Sequence, residues 1–446
     1  MNYIFSVNER ILLPLMFVFL FVAGIFISVK IRLFFLKSPK TVVSSLIDGK
    51  SKGSFRALTV ALAGTLGVGN IVGVADAIYY GGSGSVMWMI ICAFISMSLK
   101  YAEVVLAIKY RRSEHGGAFY YISYALNKPV IAKFFAILCI LTSFTLGNMI
   151  QSRAAADSVK TAFQIPDYVF GIILFFLCGA VIIGGFRRIS DFTLKLIPTL
   201  CIIYTLLCSI IIVFNIEKIP GICAVIFKNA FSFKSVSGGV LGYGMISAMK
   251  YGCMRGIISN EAGCGTAPIA HSASKTNSPA KQGCFGIFEV FVDTVVLCSL
   301  TAFVLLIYPN NSHSQMNSVI SSFGCFFGGS ASYIISVMIV FFAFATLVCW
   351  SFYGIESLHF LNPSQKLKKI YLFIFCVFCI IGCTVTEKIA WALSDFTVSI
   401  MTMINCVCLF LLSGKVKSET DSFLNEQSEC RRARYNRKRR RSAKRI

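Results

Sequence analysis

Eleven apolar stretches, each about as long as a lipid bilayer is thick, dominate this 446-residue chain. A helix needs about 20 apolar residues to cross the hydrocarbon core of a membrane. Backbone groups at that depth must be hydrogen-bonded within the protein, because no water is available there. The stretches therefore predict an all-α polytopic membrane protein with about 11 transmembrane helices. They cover residues 11–29, 57–80, 86–108, 134–158, 168–186, 194–214, 238–258, 284–307, 333–358, 371–386 and 389–413.

The composition excludes an ordinary soluble protein. Hydrophobic residues make up 56% of the chain and charged residues only 14%, whereas soluble domains contain about 25% charged residues. No long polar stretch divides the chain, so we expect a single bundle. Most of the 18 cysteines lie inside the apolar stretches, where a free thiol behaves as a small hydrophobic group. We therefore expect neither a disulfide framework nor a metal site.

The loops differ in charge, and this difference predicts the orientation of the chain. With eleven spans and the N-terminus outside, the basic segments 30–56, 109–133 and 366–369 all lie on the cytoplasmic side, as does the pair at 187–188. Segment 308–332 has no Lys or Arg and lies outside. Segment 215–236 is also placed outside, despite its three lysines. We expect a multi-pass protein of the plasma membrane, or of the inner membrane in a Gram-negative cell, with a cytoplasmic C-terminus.

The C-terminal segment 431–446 is strongly basic, with ten basic residues and no acidic one. Such a segment is attracted to anionic lipid headgroups, and we expect a disordered tail that contacts them. Nucleic acid is not an expected partner, because no folded nucleic-acid-reading motif accompanies the charge.

Residues 61–74, ALAGTLGVGNIVGV, place four glycines and an asparagine inside an apolar span. Five spans later, residues 237–252, SGGVLGYGMISAMKYG, are interrupted in the same way. Interrupted spans at corresponding positions of two halves indicate a transporter binding site. The freed N–H groups can bind a carboxylate, and the freed carbonyl groups can bind a cation. The alternative is close helix packing, since Gly69 and Gly73 also form a GxxxG pattern.

Several longer motifs are those of a known family. They are ALAGTLGVGNIVGVADAIYYGGSGSVMWM at 61–89, KYAEVVLAIKYR at 100–111, GNMIQS at 147–152, RGIISNEAGCGTAPIAHSASKTN at 255–277, VFVDTVV at 290–296, ATLVCWSFYG at 345–354 and LFLLSG at 409–414. With these motifs, the chain resembles the alanine or glycine:cation symporter family (sodium:alanine symporters).

That resemblance implies the leucine-transporter-like fold, an inverted 5+5 repeat core with one extra N-terminal helix here. Residues 1–56 would form an accessory span and cytoplasmic loop, and residues 57–414 the core. The repeats would cover about 57–214 and 238–414, followed by a basic cytoplasmic tail at 415–446. The implied function is import of small neutral amino acids (alanine or glycine, with D-alanine and serine as further candidates) coupled to sodium.

The resemblance also implies which residues bind the substrate. The backbone amides around Val68 and Gly69 would hold the substrate carboxylate, with Asn70 beside it. Gln151 and Trp350 would line the pocket.

Three further residues are implied as cation ligands. The carbonyl groups of Ala63 and Leu66 would face the cation from the broken span, and the Thr346 hydroxyl would face it from the opposite helix. Sodium is the implied coupling ion, and no further metal or cofactor is expected.

The chain departs from the family pattern in ways that affect the coupling ion. Ala345 stands where the family usually has Ser, so one hydroxyl ligand for a hard cation is lost. Asp76 and Glu289 are carboxylates within spans, at positions where the family is normally small or neutral. Because intramembrane carboxylates are costly and often functional, a proton is the rival to sodium. Glu103, Arg255 and Asp293 match the family pattern and are expected to be structural or gating partners.

Other function classes fit the sequence less well. The chain has only four histidines, and none is spaced to pair with an acid or nucleophile as in an enzyme. No pore-lining repeat or charged ring indicates a channel. We therefore predict a symporter that works by alternating access, with a proton-coupled permease and a non-transporting sensor as the alternatives.

Overall fold

The computed structural model describes residues 7–47, 52–113, 115–231, 244–309 and 315–443, and nearly all of them are helical. The bundle helices are α1 (Leu13–Lys30), α2 (Lys52–Thr65), α3 (Val72–Gly81), α4 (Ser85–Tyr110), α5 (Pro129–Phe163), α6 (Asp167–Ile182), α7 (Gly185–Phe214), α8 (Met245–Asn260), α9 (Ala267–Ser272), α10 (Pro279–Ile307), α11 (Ala331–Leu361), α12 (Gln365–Thr384) and α13 (Glu387–Ala443). Shorter helices cover Phe34–Lys37, Pro39–Ile47, Ala118–Tyr124, Ile219–Ala230 and Gln315–Phe327.

Within these described ranges, eight helices are long and apolar enough to cross a membrane, and α6 is a shorter apolar helix. The prediction of an all-helical, multi-span membrane protein is thereby confirmed. The count of eleven spans and the inverted repeat stay predictions.

Two interruptions divide helices in the core. The predicted span 57–80 consists of α2 and α3, separated by a non-helical turn at 66–67 and a single 3-10 turn. In the second half, the predicted glycine-rich break lies largely outside the described residues, because only Gly244 onward is described. The interruption that the structure does describe there lies between α8 and α9, at residues 261–266.

Helix α4 is the centre of one side of the bundle. It packs against α1, α8, α9 and α10, and its C-terminal half is buried without interruption from Ser96 to Ile108. Helix α11 plays the corresponding part on the other side, where it packs against α2, α5, α7 and α12. The second interruption lies between these two long helices, since Glu261 binds Trp350 of α11 and Gly265 binds Glu103 of α4.

The first and last described helices pack against each other. Helix α1 packs against α4 and α13, so the first apolar stretch belongs to the bundle. Helix α13 is 57 residues long and continues to Ala443. The expectation of a disordered basic tail is wrong, because the helix of the last span continues through the tail to Ala443.

The 17 cysteines whose side chains the structure describes are all free, and most are buried. Their placement agrees with the use of cysteine as a small apolar side chain.

The contact between α8 and α4 generates a test of the packing. A Cβ atom at Gly252 would overlap the backbone carbonyl of Ser85 and lie 2.9 Å from its carbon atom. We expect Gly252→Ala to lower the free energy of unfolding by about 2 kcal/mol, because backbone cannot move aside as a side chain can. Thermal unfolding in detergent, followed by size-exclusion fluorescence, measures the change.

Gly256→Ala is the matched control, one turn further along the same helix. Its Cβ would lie 3.1 Å from the flexible Met89 side chain, so we expect stability within about 1 kcal/mol of wild type. Equal losses for both variants would contradict this account of the packing.

Candidate functional site

The first interruption frees two backbone carbonyl groups inside the bundle. In a continuous helix, Ala63 O would accept from the N–H of Gly67, and Leu66 O from the N–H of Asn70. Here the Gly67 N–H donates to Thr65 O at 2.8 Å, and the Asn70 N–H donates to Gly67 O at 3.4 Å. Gly67 is extended, with φ −118° and ψ −153°. The carbonyl oxygens of Ala63 and Leu66 therefore lack their helical partners.

The hydroxyl group of Thr346 on α11 lies beside both freed carbonyl groups. Its Oγ1 is 2.9 Å from Ala63 O and 3.5 Å from Leu66 O, and 3.1 Å from Phe342 O of its own helix. A hydroxyl group has one hydrogen to donate, so it cannot satisfy three carbonyl oxygens at once. The structure thus brings all three predicted cation ligands together, in an oxygen-rich cluster of the kind that a hard cation prefers.

Ala345 precedes Thr346 on α11 and is fully buried. It offers no oxygen from its side chain, so the departure from the family pattern falls directly beside the oxygen cluster.

Gln151 reaches the same interruption from α5. Its Oε1 accepts a 3.1 Å hydrogen bond from the backbone N–H of Val68, and its Nε2 donates weakly to Leu146 O at 3.4 Å. The residue follows a π-helical segment, Thr145–Ile150, and such segments are common at functional sites. The Gln151 side chain thereby accepts from an amide that the family resemblance assigns to the substrate carboxylate.

Asn70 and Gly69 face the second half of the chain. The Asn70 Nδ2 group donates to Asp293 Oδ1 at 2.7 Å and to the Asp293 backbone carbonyl at 3.1 Å. The Asn70 Oδ1 atom is buried without a partner. A Cβ atom at Gly69 would lie 3.4 Å from the Cα atom of Ser259. The 3-10 turn at Val68–Asn70 therefore packs against the C-terminal end of α8 and against Phe291–Cys298, the π-helical segment of α10.

Trp350 lies on α11 one helical turn beyond Thr346 and packs against α5 one turn before Gln151. It is fully buried, its ring covers Gly147 on α5 so closely that a Cβ atom there would overlap it, and its Nε1 donates to Glu261 Oε1 at 3.0 Å. Trp350 thus links α11 to the second interruption. None of the contacts described for it involves the turn at Val68–Asn70.

Two carboxylates that bind the interrupted segments were not assigned to the site by sequence. Asp293 accepts hydrogen bonds from Asn70, from Ser259 at 2.9 Å and from Thr294 at 2.7 Å. Glu261 accepts from Trp350 and from Thr266 at 2.7 Å. Asp293 was expected to be a structural or gating partner, and Glu261 was not singled out. The signal available for both was a carboxylate within an apolar segment.

The remaining predicted partners form separate interactions. Asp76 Oδ2 lies 3.3 Å from Arg255 Nη2, and both side chains are buried. The Arg255 guanidinium lies over the ring of Trp391, 4.0 Å from its centre. Glu103 Oε1 accepts from the N–H of Gly265 at 2.8 Å. Asp76 is therefore neutralised by an ion pair in this conformation.

A cavity of about 400 Å³ opens beside the Asp76–Arg255 pair. Its lining includes Glu387 and Trp391, which also line a very small cavity of about 10 Å³ that reaches Val68. The small cavity cannot hold an amino acid. The route between the larger cavity and the first interruption is therefore closed near Trp391.

Comparison with known proteins agrees with these features. The model of the "Sodium:alanine symporter family" matches residues 1–437. The sodium/alanine symporter AgcS of Methanococcus maripaludis is 34% identical over 441 residues, which cover 94% of this chain and 96% of AgcS. The probable sodium/glutamine symporter GlnT of Bacillus subtilis is 33% identical over 422 residues, covering 92% and 87% of the two chains.

A solved structure shares the fold at lower sequence similarity. The manganese transporter of Eremococcus coleocola has a TM-score of 0.52 and 13% identity, over 80% of this chain and 76% of that chain. At this identity the likeness concerns the fold alone.

The packing around the first interruption identifies Gly67 as its most restricted position. A Cβ atom there would lie 2.7 Å from Thr346 Oγ1 and 2.8 Å from Gln151 Oε1. We expect Gly67→Ala to abolish uptake of radiolabelled alanine into proteoliposomes. The added methyl group would push the Thr346 hydroxyl and the Gln151 amide away from the turn.

Gly69→Ala is the control, since its Cβ would make only ordinary van der Waals contact with Ser259. We expect it to keep most of the uptake. Loss of uptake in Gly69→Ala together with normal uptake in Gly67→Ala would contradict the described geometry.

Proposed function

Because the chain belongs to the sodium:alanine symporter family, we propose that it imports small neutral amino acids, such as alanine or glycine, together with sodium. It is a transporter of the amino-acid:cation symport class and not an enzyme. The observation that carries the sodium proposal is the meeting of Ala63 O and Leu66 O with the Thr346 hydroxyl. A bound sodium ion would be coordinated by these three oxygen atoms and would replace the hydrogen bonds from the Thr346 hydroxyl group.

The substrate carboxylate would bind by exchange with Gln151. The Val68 N–H now donates to Gln151 Oε1, and a carboxylate is a stronger acceptor than a neutral amide. Withdrawal of the Gln151 side chain would free this N–H for the carboxylate and the Gln151 amide for other polar groups of the substrate. Asn70 Oδ1, which is buried without a partner, is a suitable acceptor for the substrate ammonium group.

Transport would follow from alternating access to this site. With the orientation predicted from loop charges, the cavity beside Asp76 and Arg255 faces outward, and the closed route near Trp391 separates it from Val68. Opening at Trp391 would admit substrate and sodium from outside. A later opening between α9 and the cytoplasmic loops would release them.

Thr346 provides the sharpest test of the sodium site. We expect Thr346→Val, which keeps the shape but loses the hydroxyl, to raise the sodium concentration for half-maximal alanine uptake at least about tenfold, or about 1.4 kcal/mol. Thr346→Ser keeps the hydroxyl and should stay close to wild type. An unchanged sodium dependence in Thr346→Val would place the coupling ion elsewhere.

Ala345→Ser tests the same site in the opposite direction. The change restores the hydroxyl that the family usually has, and we expect it to lower the sodium concentration for half-maximal uptake. A sodium dependence that is weakened or unaffected would show that the oxygen of residue 345 does not reach the ion.

The packing of Trp350 limits the size of the substrate. Its ring is held between Gly147 and Glu261, so it cannot easily move to admit a long side chain. We expect alanine, glycine and serine to compete for uptake, and leucine and phenylalanine not to compete. Glutamine is an informative further competitor, and inhibition by leucine as strong as by alanine would refute the role of Trp350.

A further inference from the structure

We propose that a groove between α6 and α12 binds an anionic phospholipid, with the headgroup at Lys368 and Lys369 and an acyl chain along the groove. The groove forms a cavity of about 700 Å³, which lies within the range of about 300–1,000 Å³ that is typical of small-ligand pockets. Among the described residues that line it, none is a predicted substrate or cation ligand. The proposal goes beyond the proposed function, because it does not depend on the transported amino acid or on the coupling ion.

The groove opens where two closely packed helices move apart. A Cβ atom at Gly171 of α6 would lie 3.0 Å from the Cα atom of Ile380 on α12, so the two backbones touch there. Eight residues later along α6, a Cβ atom at Gly179 would lie 3.7 Å from the side-chain sulfur of Cys376 and would meet no backbone. The helices are therefore antiparallel, and they diverge toward the C-terminal end of α6, where Gly179 forms the floor of the groove.

The lining changes from polar to apolar along the groove. Gln365, Lys368 and Lys369 lie at the N-terminal end of α12, and Phe373 and Cys376 follow one and two turns beyond Lys369. At 1.5 Å per residue, residues 365–376 extend over about 16 Å, which is about half of the 30 Å hydrocarbon core of a bilayer. A phospholipid in one leaflet has the same arrangement, with a charged group at one end and apolar chains below it.

The apolar part of the groove fits an acyl chain but does not select one lipid over another. The side chains of Phe176, Phe373 and Ile183 are more than half exposed, at 67%, 63% and 77%. Inside a membrane these side chains contact lipid, and lipid tails are as apolar as the side chains themselves. Any preference among lipids with the same chains must therefore come from the charged end of the groove.

The charged end of the groove favours an anion. Among the described residues that line the groove, two are lysines and none is acidic. Glu356, which lines an adjoining cavity together with Lys368, binds His115 at 2.8 Å. The basic pair at 187–188 follows α6 directly and adds positive charge at the same end. With the orientation predicted from loop charges, this end is cytoplasmic, where basic pockets between transmembrane helices bind anionic headgroups.

Native mass spectrometry of the full chain, released from detergent micelles, tests the lipid preference. Phosphatidylglycerol and phosphatidylcholine with identical acyl chains would be added at equal concentrations. We expect the chain to retain phosphatidylglycerol at least about tenfold more than phosphatidylcholine, because only the former has a net negative charge for the two lysines. Equal retention of the two lipids would overturn the proposal.

A pair of double variants separates the groove from the general positive charge of the chain. Lys368→Gln with Lys369→Gln removes both lysines of the groove, and we expect the preference for phosphatidylglycerol to fall close to one. Lys366→Gln with Lys417→Gln removes the same charge from residues that do not line the groove, and we expect the preference to stay. An equal effect of the two double variants, whether a loss or none, would overturn the part assigned to Lys368 and Lys369.

Crosslinking locates the acyl chain. Phosphatidylglycerol with a diazirine in one acyl chain would be photoactivated in vesicles that contain the full chain, and the labelled peptides would be identified by mass spectrometry. We expect labels on α6 and α12 within the groove, and we expect Ala180→Trp, which fills the groove from an exposed position, to remove them. Leu177→Trp is the matched control, because Leu177 is 51% exposed on the same helix but does not line the groove.

Two results of this experiment would overturn the proposal. One is labelling that lies only outside the groove, and the other is groove labelling that Ala180→Trp leaves unchanged. An excess of soluble glycerol phosphate distinguishes a lipid site from a simple phosphate site. We expect it to leave the labelling in place, since it lacks the acyl chains, and its displacement of the lipid would show that the groove contributes nothing to binding.

Discussion

The hydroxyl group of Thr346 meets the carbonyl groups that the first interruption frees, and the rest of the site depends on this contact. Inside a membrane, a carbonyl group that leaves its helix must find another partner. Ala63 O and Leu66 O find one hydroxyl between them, which is fewer donors than oxygens. The interruption therefore leaves more carbonyl oxygens than donors, and a bound cation would be coordinated by these oxygens.

The same constraint explains how the two halves of the chain are joined. Asp293 accepts hydrogen bonds from Asn70 in the first interruption and from Ser259 at the end of α8. Glu261 in the second interruption is held by Trp350 of α11. Carboxylates thus join side chains of both interrupted segments to the neighbouring helices.

The sequence was informative where a local pattern determines the chemistry. The glycines of residues 61–74 predicted the first interruption, and the family resemblance predicted that Ala63, Leu66 and Thr346 would converge. Long-range pairing was less accessible. No local pattern shows that Glu289 would lie between Lys100 and His271, because these residues come from three helices far apart in the chain. Trp350 was expected opposite the first interruption, but its described contacts are with Gly147 and Glu261, since helix packing decides which way a buried ring points.

Sodium flux driven by the amino acid alone tests the central claim most directly. Proteoliposomes would be prepared with equal sodium and equal pH on both sides, and a tenfold inward gradient of alanine would then be imposed in the presence of ²²Na⁺. Coupled symport predicts a transient accumulation of ²²Na⁺ above its equilibrium level in the wild type, and a much smaller one in Thr346→Val. Alanine that equilibrates without any accumulation of ²²Na⁺ would contradict sodium coupling at the first interruption.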